Sequence, residues 1–285
     1  MHDNLLHLRA FFQWLSKQPS FKTRLNYDDA QYFNMNEKDR RVAKTPRLKH
    51  VPTLEQVESA LRGMPATTII ERRDRAAFAF ALLTGARASA LISAKLKHVN
   101  LETRHFYQDA REVRTKYSKT ISTWFFPVGS FAESIVAEWV NFLRVEMRCL
   151  PDDPVFPSTL IEGGEQQKFE VSGISRKHWT SADTLRQIFR RAFSMAGLPH
   201  AHPYLRRHVL AQLGGELCKT AEQLNAWADN LGHNDVLTTL RTYGRVPDYK
   251  RQEIFDSFRR EPNSEPETEK ILKQIKDLLA SKAGG

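Results

Sequence analysis

Long apolar runs are missing from this chain. Nowhere among its 285 residues do 18 apolar residues follow one another, and the start, Met1-His2-Asp3-Asn4, is polar and lacks the apolar core of a signal peptide. A membrane span and a secretory leader are therefore not expected, and the sequence reads as that of a soluble, cytoplasmic protein. Cysteine is scarce as well. The two, Cys149 and Cys218, lie far apart, which excludes a disulfide framework and a metal-ligand cysteine spacing and fits a reducing compartment. Both read as buried apolar filler. The chain also lacks a glycine-rich phosphate loop, a His–Cys metal pattern, a carboxylate cluster suited to Mg²⁺ and any internal repeat. Work on phosphates is thus expected to proceed without a metal, and no cofactor is expected.

What is present is positive charge and a substantial apolar fraction. Forty-three Lys and Arg stand against 33 Asp and Glu, a formal charge of +10, with 41% apolar residues. That apolar content can form a real core, and the basic balance favours a polyanionic partner such as nucleic acid. Charge alone does not choose between DNA, RNA and an anionic membrane.

Periodicity outlines the elements. Leu5, Leu8, Phe11, Phe12 and Leu15 share one face of a helix over residues 4–16, an aromatic stripe expected to be core. Residues 17–50 are dominated by Lys and Arg, including Lys44, Arg47 and Lys49, and read as an extended basic linker suited to crossing a DNA backbone. Thr53 with Gln56 forms a capping-box pattern that starts a helix at 54–63, followed by one at 68–84. Thr84-Gly85-Ala86-Arg87 breaks the latter, and helical character resumes to about 95. Between 97 and 128 the β-branched and aromatic residues predict two or three short antiparallel strands with a tip near Lys116 to Lys119. A helix follows from 130 to 149, and the Pro- and Gly-rich stretch 151–178 is expected to be loop. Further helices are expected at about 181–196, 204–217, 220–231, 235–242 and 248–259. After a Pro-containing linker, Ile271, Leu272, Ile275, Leu278 and Leu279 make a final apolar stripe suited to docking on a neighbour.

Several residues carry chemistry. In 231–243, Gly232 can close a helix and leave His233 ten residues before Tyr243, a phenol that Gly244 can leave exposed. On its own this is also an ordinary helix-turn-helix with a packed tyrosine. Cleaving a phosphodiester without metal needs a nucleophile, a proton donor for the leaving oxygen, and fixed positive charge on the phosphate. Arginine suits the last task because its planar fork matches two phosphate oxygens. Arg87 follows the Thr-Gly break, and Arg206 and Arg207 begin an otherwise apolar helix. Each of the three also reads, singly, as an ion-pair arginine, and Lys116 and Lys119 as solubilising hairpin-tip lysines.

Thr84-Gly85-Ala86-Arg87, Lys116-Tyr117-Ser118-Lys119, His202-Pro203-Tyr204-Leu205-Arg206-Arg207-His208, Leu231-Gly232-His233 and Thr238-Thr239-Leu240-Arg241-Thr242-Tyr243, in this order, resemble the tyrosine recombinase (phage integrase) family. The resemblance implies a mainly α fold with a small antiparallel β-sheet. It implies a partial helical core-binding segment with basic linker at 1–49, a catalytic domain at 50–260, and a linker with a C-terminal helix at 261–285 that either docks on a neighbouring protomer or packs on its own domain. By the same resemblance Tyr243 attacks a DNA phosphate to form a 3′-phosphotyrosyl bond, and Arg87 and Arg207 hold that phosphate. Lys116, with Lys119 as second candidate, protonates the departing 5′ oxygen, and His233 binds the phosphate or positions Tyr243. Lys119, Arg206, Arg241, Lys44, Arg47 and Lys49 are the implied DNA contacts. The implied partners are double-stranded DNA and further copies of the chain in a tetrameric synapse near the nucleoid, with neither ATP nor metal.

Departures from the family pattern bear on activity. Aligning His202-Pro203 and His208 makes Arg207 the motif arginine and puts Tyr204 where a histidine is usual; the other register pairs Arg206 with Pro203. A phenol donates hydrogen bonds but is a poor base near neutral pH. The acidic residue often found three after the first arginine is Ala90, and the N-terminal segment is short. A catalytically impaired DNA-binding relative is the alternative.

Overall fold

The structure, a computed structural model, describes residues 2–44, 51–163, 169–199, 205–233, 251–252 and 255–256. The chain divides into two compact units, residues 1–50 and 51–285.

In the first unit, helix α1 (His2–Leu15) is followed by a 3₁₀ turn (Tyr27–Phe33) and helix α2 (Glu37–Lys44). The stretch 17–50 is therefore not an extended linker up to Lys44. Asn26 caps the 3₁₀ turn and Asp29 returns the bond, while the Asn36 side chain accepts from Asp39 N–H at 2.8 Å. These local capping signals outweigh the charge density that suggested extended chain. The aromatic stripe of α1 also differs from expectation. Phe12 stacks on Phe33 at 4.9 Å, but Leu8 and Phe11 are exposed, so only part of the stripe is covered.

The second unit is built around helix α4 (Ile69–Thr84), which is buried from Ala76 through Thr84 and packs against α6 (Ser130–Val145) and α7 (Asp183–Met195). Phe78, Phe80 and Phe189 fill the centre, with the Phe78 and Phe189 rings stacked at 4.2 Å. Helix α3 (Leu54–Arg62) begins with the capping box read from Thr53 and Gln56, and α4 begins with a second one formed by Thr68 and Glu71. Each satisfies N–H groups that the first helical turn leaves without partners. Strands β1 (Val99–Asn100), β2 (His105–Gln108) and β3 (Ile121–Trp124) form an antiparallel sheet in the order β1-β2-β3, with Gln108 opposite Ile121. The expected fold, helical with a small antiparallel sheet, is the observed one.

Residues 151–156 form turns, as expected, but the described residues from Pro157 to His178 are strand and not loop. Strands β4 (Pro157–Gly163) and β5 (Phe169–His178) pair antiparallel. Proline stands at the first position of β4, where a missing N–H does little harm, and Gly173 has φ +150° beside a register shift at Leu160. Of the prolines and glycines that punctuate this stretch, Pro157 thus serves a strand start and Gly173 a bulge. The ribbon is tied to α4 by Arg73, which donates to Pro157 O and Thr159 Oγ1 at 3.0 Å and pairs with Asp74 at 2.7 Å. Arg191 reaches the same carboxylate at 2.7 Å. Cys149 and Cys218 are half-buried rather than fully buried, and desolvation pushes both thiols up. Among the described residues no helix is long and apolar enough to cross a membrane.

Helices α5 (Ala88–Ser93), α8 (Leu205–Leu217) and α9 (Ala221–Asn230) complete the described part. Residues 251–252 and 255–256 are helical, within the span expected at 248–259. The helix expected at 235–242 and the stripe at 271–279 lie outside the described residues.

Candidate active site

The site grows from two helix ends. Helix α4 stops at Gly85, whose φ of +57° is a left-handed value open to glycine at little cost, and whose N–H donates to Ala81 O at 3.0 Å. The reversal leaves Arg87, half-buried, at the N-cap of α5 and turns the Gly85 and Ala86 carbonyls toward α8. No Cβ fits at Gly85: it would stand 2.8 Å from Leu210 Cδ1 and 2.9 Å from Leu231 Cδ2.

Helix α9 ends in the same manner. Gly232 has φ +69° and donates to Asp229 O at 2.7 Å, and His233 N–H reaches back to Ala228 O at 3.1 Å. These two bonds are a Schellman motif, which fixes the direction of the residue after the glycine. That residue is His233, which is buried.

Arg207 joins the two ends. Fully buried at 1% exposure, it donates from Nη1 to Gly85 O at 2.7 Å, and from Nη2 to Leu231 O at 2.6 Å and His233 Nε2 at 2.8 Å. Its Nε–H is buried and meets no hydrogen-bond partner among the described residues. Arginine only donates, so Nε2 of His233 accepts and the imidazole proton sits on Nδ1. Burial, then the positive charges of Arg207 and Arg87, push the His233 pKa down to about 4. The ring is accordingly neutral at physiological pH, in the field of two guanidinium groups.

Arg206 points elsewhere. It is buried, donates to Ala86 O, and stands 5.9 Å from the Phe189 ring centroid. Arg206 and Arg207 thus both bind backbone carbonyls of the Thr84–Arg87 motif, and Arg207 is the one that meets His233. Both are buried, so neither is a surface arginine.

The lysines lie on the connection between β2 and β3. Lys116–Ser118 form a single 3₁₀ turn interrupted by Tyr117, which has φ +60°, and Ser118 follows at φ +49°. Both are left-handed values that side chains adopt at a cost. Lys116 Nζ lies 4.6 Å from the centroid of the exposed Tyr117 ring, and Lys119 is exposed. The base of this connection is anchored. Glu112 binds Lys95 Nζ at 2.7 Å and Lys97 Nζ at 2.8 Å, and Arg114 N–H donates to Ser93 Oγ at 2.8 Å.

Sequence reading missed the link between the sheet and α9. Asn230 Oδ1 accepts from Trp124 N–H at 2.7 Å and its Nδ2 donates to Trp124 O at 2.9 Å. Thr123 Oγ1 donates to Asn230 O at 3.1 Å and accepts from Gln108 Nε2 at 3.0 Å. No local pattern marks an asparagine in the last turn of a helix for this task.

Arg87, Arg207 and His233 are therefore brought together, and Lys116 and Lys119 sit on a loop whose strand is fastened to the helix that leads into His233. Lys44 is the last residue of α2. Tyr243, Tyr204, Arg241, Arg47 and Lys49 lie outside the described residues. Among the described residues, no group of His, Cys, Asp and Glu is arranged to hold a metal ion.

A helical unit with an edge sheet, carrying paired motif arginines and a buried histidine, is the catalytic-domain fold of the tyrosine recombinases. The chain belongs to the phage integrase family, whose family model matches residues 53–250. Among solved structures, XerA recombinase is 16% identical, with 91% of this chain and 84% of that one covered and a TM-score of 0.51. XerH site-specific recombinase, solved bound to its palindromic difH substrate in a post-cleavage complex, is 17% identical, with 88% of this chain and 64% of that one covered and a TM-score of 0.53. At these identities the likeness is one of fold. A search of curated proteins returned no match.

Proposed function

We propose that the protein is a tyrosine-type site-specific DNA recombinase. The observation that carries the reading is the convergence of Arg207 and His233, 26 residues apart in sequence, on the helix-ending motif that presents Arg87. In this reading the Tyr243 phenol oxygen bonds to the scissile phosphorus as the bond from phosphorus to the 5′ oxygen breaks. The phenol proton passes to water, and Lys116, with Lys119 as second candidate, gives a proton to the 5′ oxygen. The product is a 3′-phosphotyrosyl bond and a free 5′ hydroxyl, and attack by a 5′ hydroxyl from another strand reverses the step. Energy is kept in the phosphotyrosine, so the cycle balances without ATP or metal.

Arg87 and Arg207 hold the non-bridging oxygens, where fixed charge inside a partly dry site stabilises the developing negative charge. Arg207 fits this role better than Arg206 because its fork lies beside His233. His233, neutral with its proton on Nδ1, serves as a hydrogen-bond donor, since its other nitrogen is occupied by Arg207. Tyr204 stands in for the usual histidine as a further donor. Lys119, Arg206, Arg241, Lys44, Arg47 and Lys49 contribute DNA affinity in a cytoplasmic, nucleoid-associated tetramer.

The test is covalent capture. A pool of random-sequence duplexes, each bearing a nick that lets the cleaved 5′ fragment diffuse away, should yield a denaturation-resistant protein–DNA adduct with the wild-type chain and none with Tyr243→Phe. Absence of any wild-type adduct refutes the enzyme. Salt-sensitive DNA binding without an adduct selects the second reading, an impaired DNA-binding relative, which Tyr204 at the histidine position favours.

A further inference from the structure

The order β1-β2-β3 leaves β3 with one free edge, and at Trp124 both backbone groups on that edge are taken by a single side-chain amide, that of Asn230. An asparagine amide presents one acceptor and one donor side by side, so here it imitates the backbone of a missing neighbouring strand. The same strand is fastened twice more. Thr123 binds the Asn230 carbonyl, with Thr123 and Gln108 both buried, and a Cβ added at Gly232 would stand 2.8 Å from Ile121 Cδ1. Asn230 lies three residues before His233, and β3 begins two residues after Lys119. The amide thus stands between the strand that carries the lysine loop and the helix end that aims the histidine.

We propose that Asn230 is a positioning residue, which holds the Lys116–Lys119 loop in register with the Arg87–Arg207–His233 centre so that a lysine can protonate the leaving oxygen. This rests on the recombinase reading above. The lysine loop has exposed, left-handed residues at its tip and no buried side chain from Arg114 to Thr120, so its placement depends on its two strands and on the anchors at its base. Misplacement of a proton donor by an ångström costs on the order of 100-fold in rate, whereas bound phosphate contacts elsewhere need not change.

The test uses DNA sites captured by the wild-type chain from the nicked pool, prepared in two forms. One has the ordinary 5′ bridging oxygen, and the other a 5′ bridging sulfur, whose thiolate leaves without being protonated. Asn230→Ala is expected to lose about 100-fold in cleavage of the oxygen form, with DNA affinity and thermal melting unchanged, and to recover most of that loss on the sulfur form. Asn230→Asp keeps the acceptor for Trp124 N–H but sets an oxygen against Trp124 O, and should show the same recovery. An equal loss on both forms would overturn the proposal, because the amide would then be shaping the arginine pocket. Wild-type rates in both variants would overturn it too. A wild-type chain that captures no DNA would instead refute the recombinase reading and remove the proposal with it.

Discussion

Acid should uncouple His233 from Arg207, and the size of the effect follows from the structure. The ring accepts from Arg207 Nη2 at 2.8 Å, so a proton on Nε2 would place two positive donors face to face in a buried site. Burial and the two arginines lower the pKa from its ordinary 6.5 to about 4. As pH falls from about 6.5, the unfolded chain takes up this proton first, and the folded chain resists until about pH 4. Stability from this group is therefore complete above about pH 6.5 and is lost as pH falls to about 4. At about 1.4 kcal/mol per pH unit, the loss is on the order of 3 kcal/mol. Asp109, held well below the usual carboxylate range by Arg111, and Asp152, pushed down to about 2 by Lys97 and Lys95, lose stability in acid as well. The comparison is therefore with His233→Gln, which keeps an acceptor for Arg207 but has no proton to gain. Calorimetric melting between about pH 7 and pH 4 should show the wild-type Tm falling by about 6 to 12 °C more than that of the variant. Parallel curves would refute the neutral, arginine-bound histidine.

Other substitutions test other parts of the framework. A Cβ at Gly214 would stand 2.5 Å from Trp227 Nε1, which donates to Leu210 O at 2.9 Å, so Gly214→Ala is expected to lower stability by about 1–3 kcal/mol; an unchanged thermal melt contradicts this α8–α9 contact. Asp74→Ala leaves the buried Arg73 without its carboxylate, and denaturant titration should show a loss of about 3–5 kcal/mol; a loss below about 1 kcal/mol would mean that the ribbon does not depend on this pair. Affinity for DNA should fall linearly on a log–log plot against salt, with a shallower slope in Lys119→Ala, and a slope unchanged by that substitution would remove Lys119 from the phosphate contacts.

How much was legible in the sequence varied with the range of the interaction. Thr53 with Gln56 starts its helix as the sequence indicates, because a capping box joins residues three apart, and Thr68 with Glu71 proves to be a second such box. Gly85 and Gly232 end theirs, because left-handed backbone is a property of the glycine itself. The ribbon of β4 and β5 is not legible locally because Pro157 and Gly173 carry the same signal in a loop, at a strand start or in a bulge. Only pairing between strands, held on α4 by Arg73, separates these cases. The stripe on α1 was misread for a related reason: periodicity says which residues share a face, and not what covers that face.

At the candidate site, residue types and order were determined by the sequence, which also carried the resemblance to the recombinases through five short motifs. The structure decided how those motifs meet. Arg206 and Arg207 are neighbours whose side chains leave a helix about 100° apart, and which one faces the centre depends on the face that α8 buries. The fold turns Arg207 onto Gly85, Leu231 and His233 and turns Arg206 toward Ala86 and Phe189. His233 is neutral because two arginines distant in sequence reach it in a buried place, and Asn230 meets Trp124 across more than a hundred residues. Such facts depend on distances in space, which a linear order of residues does not contain.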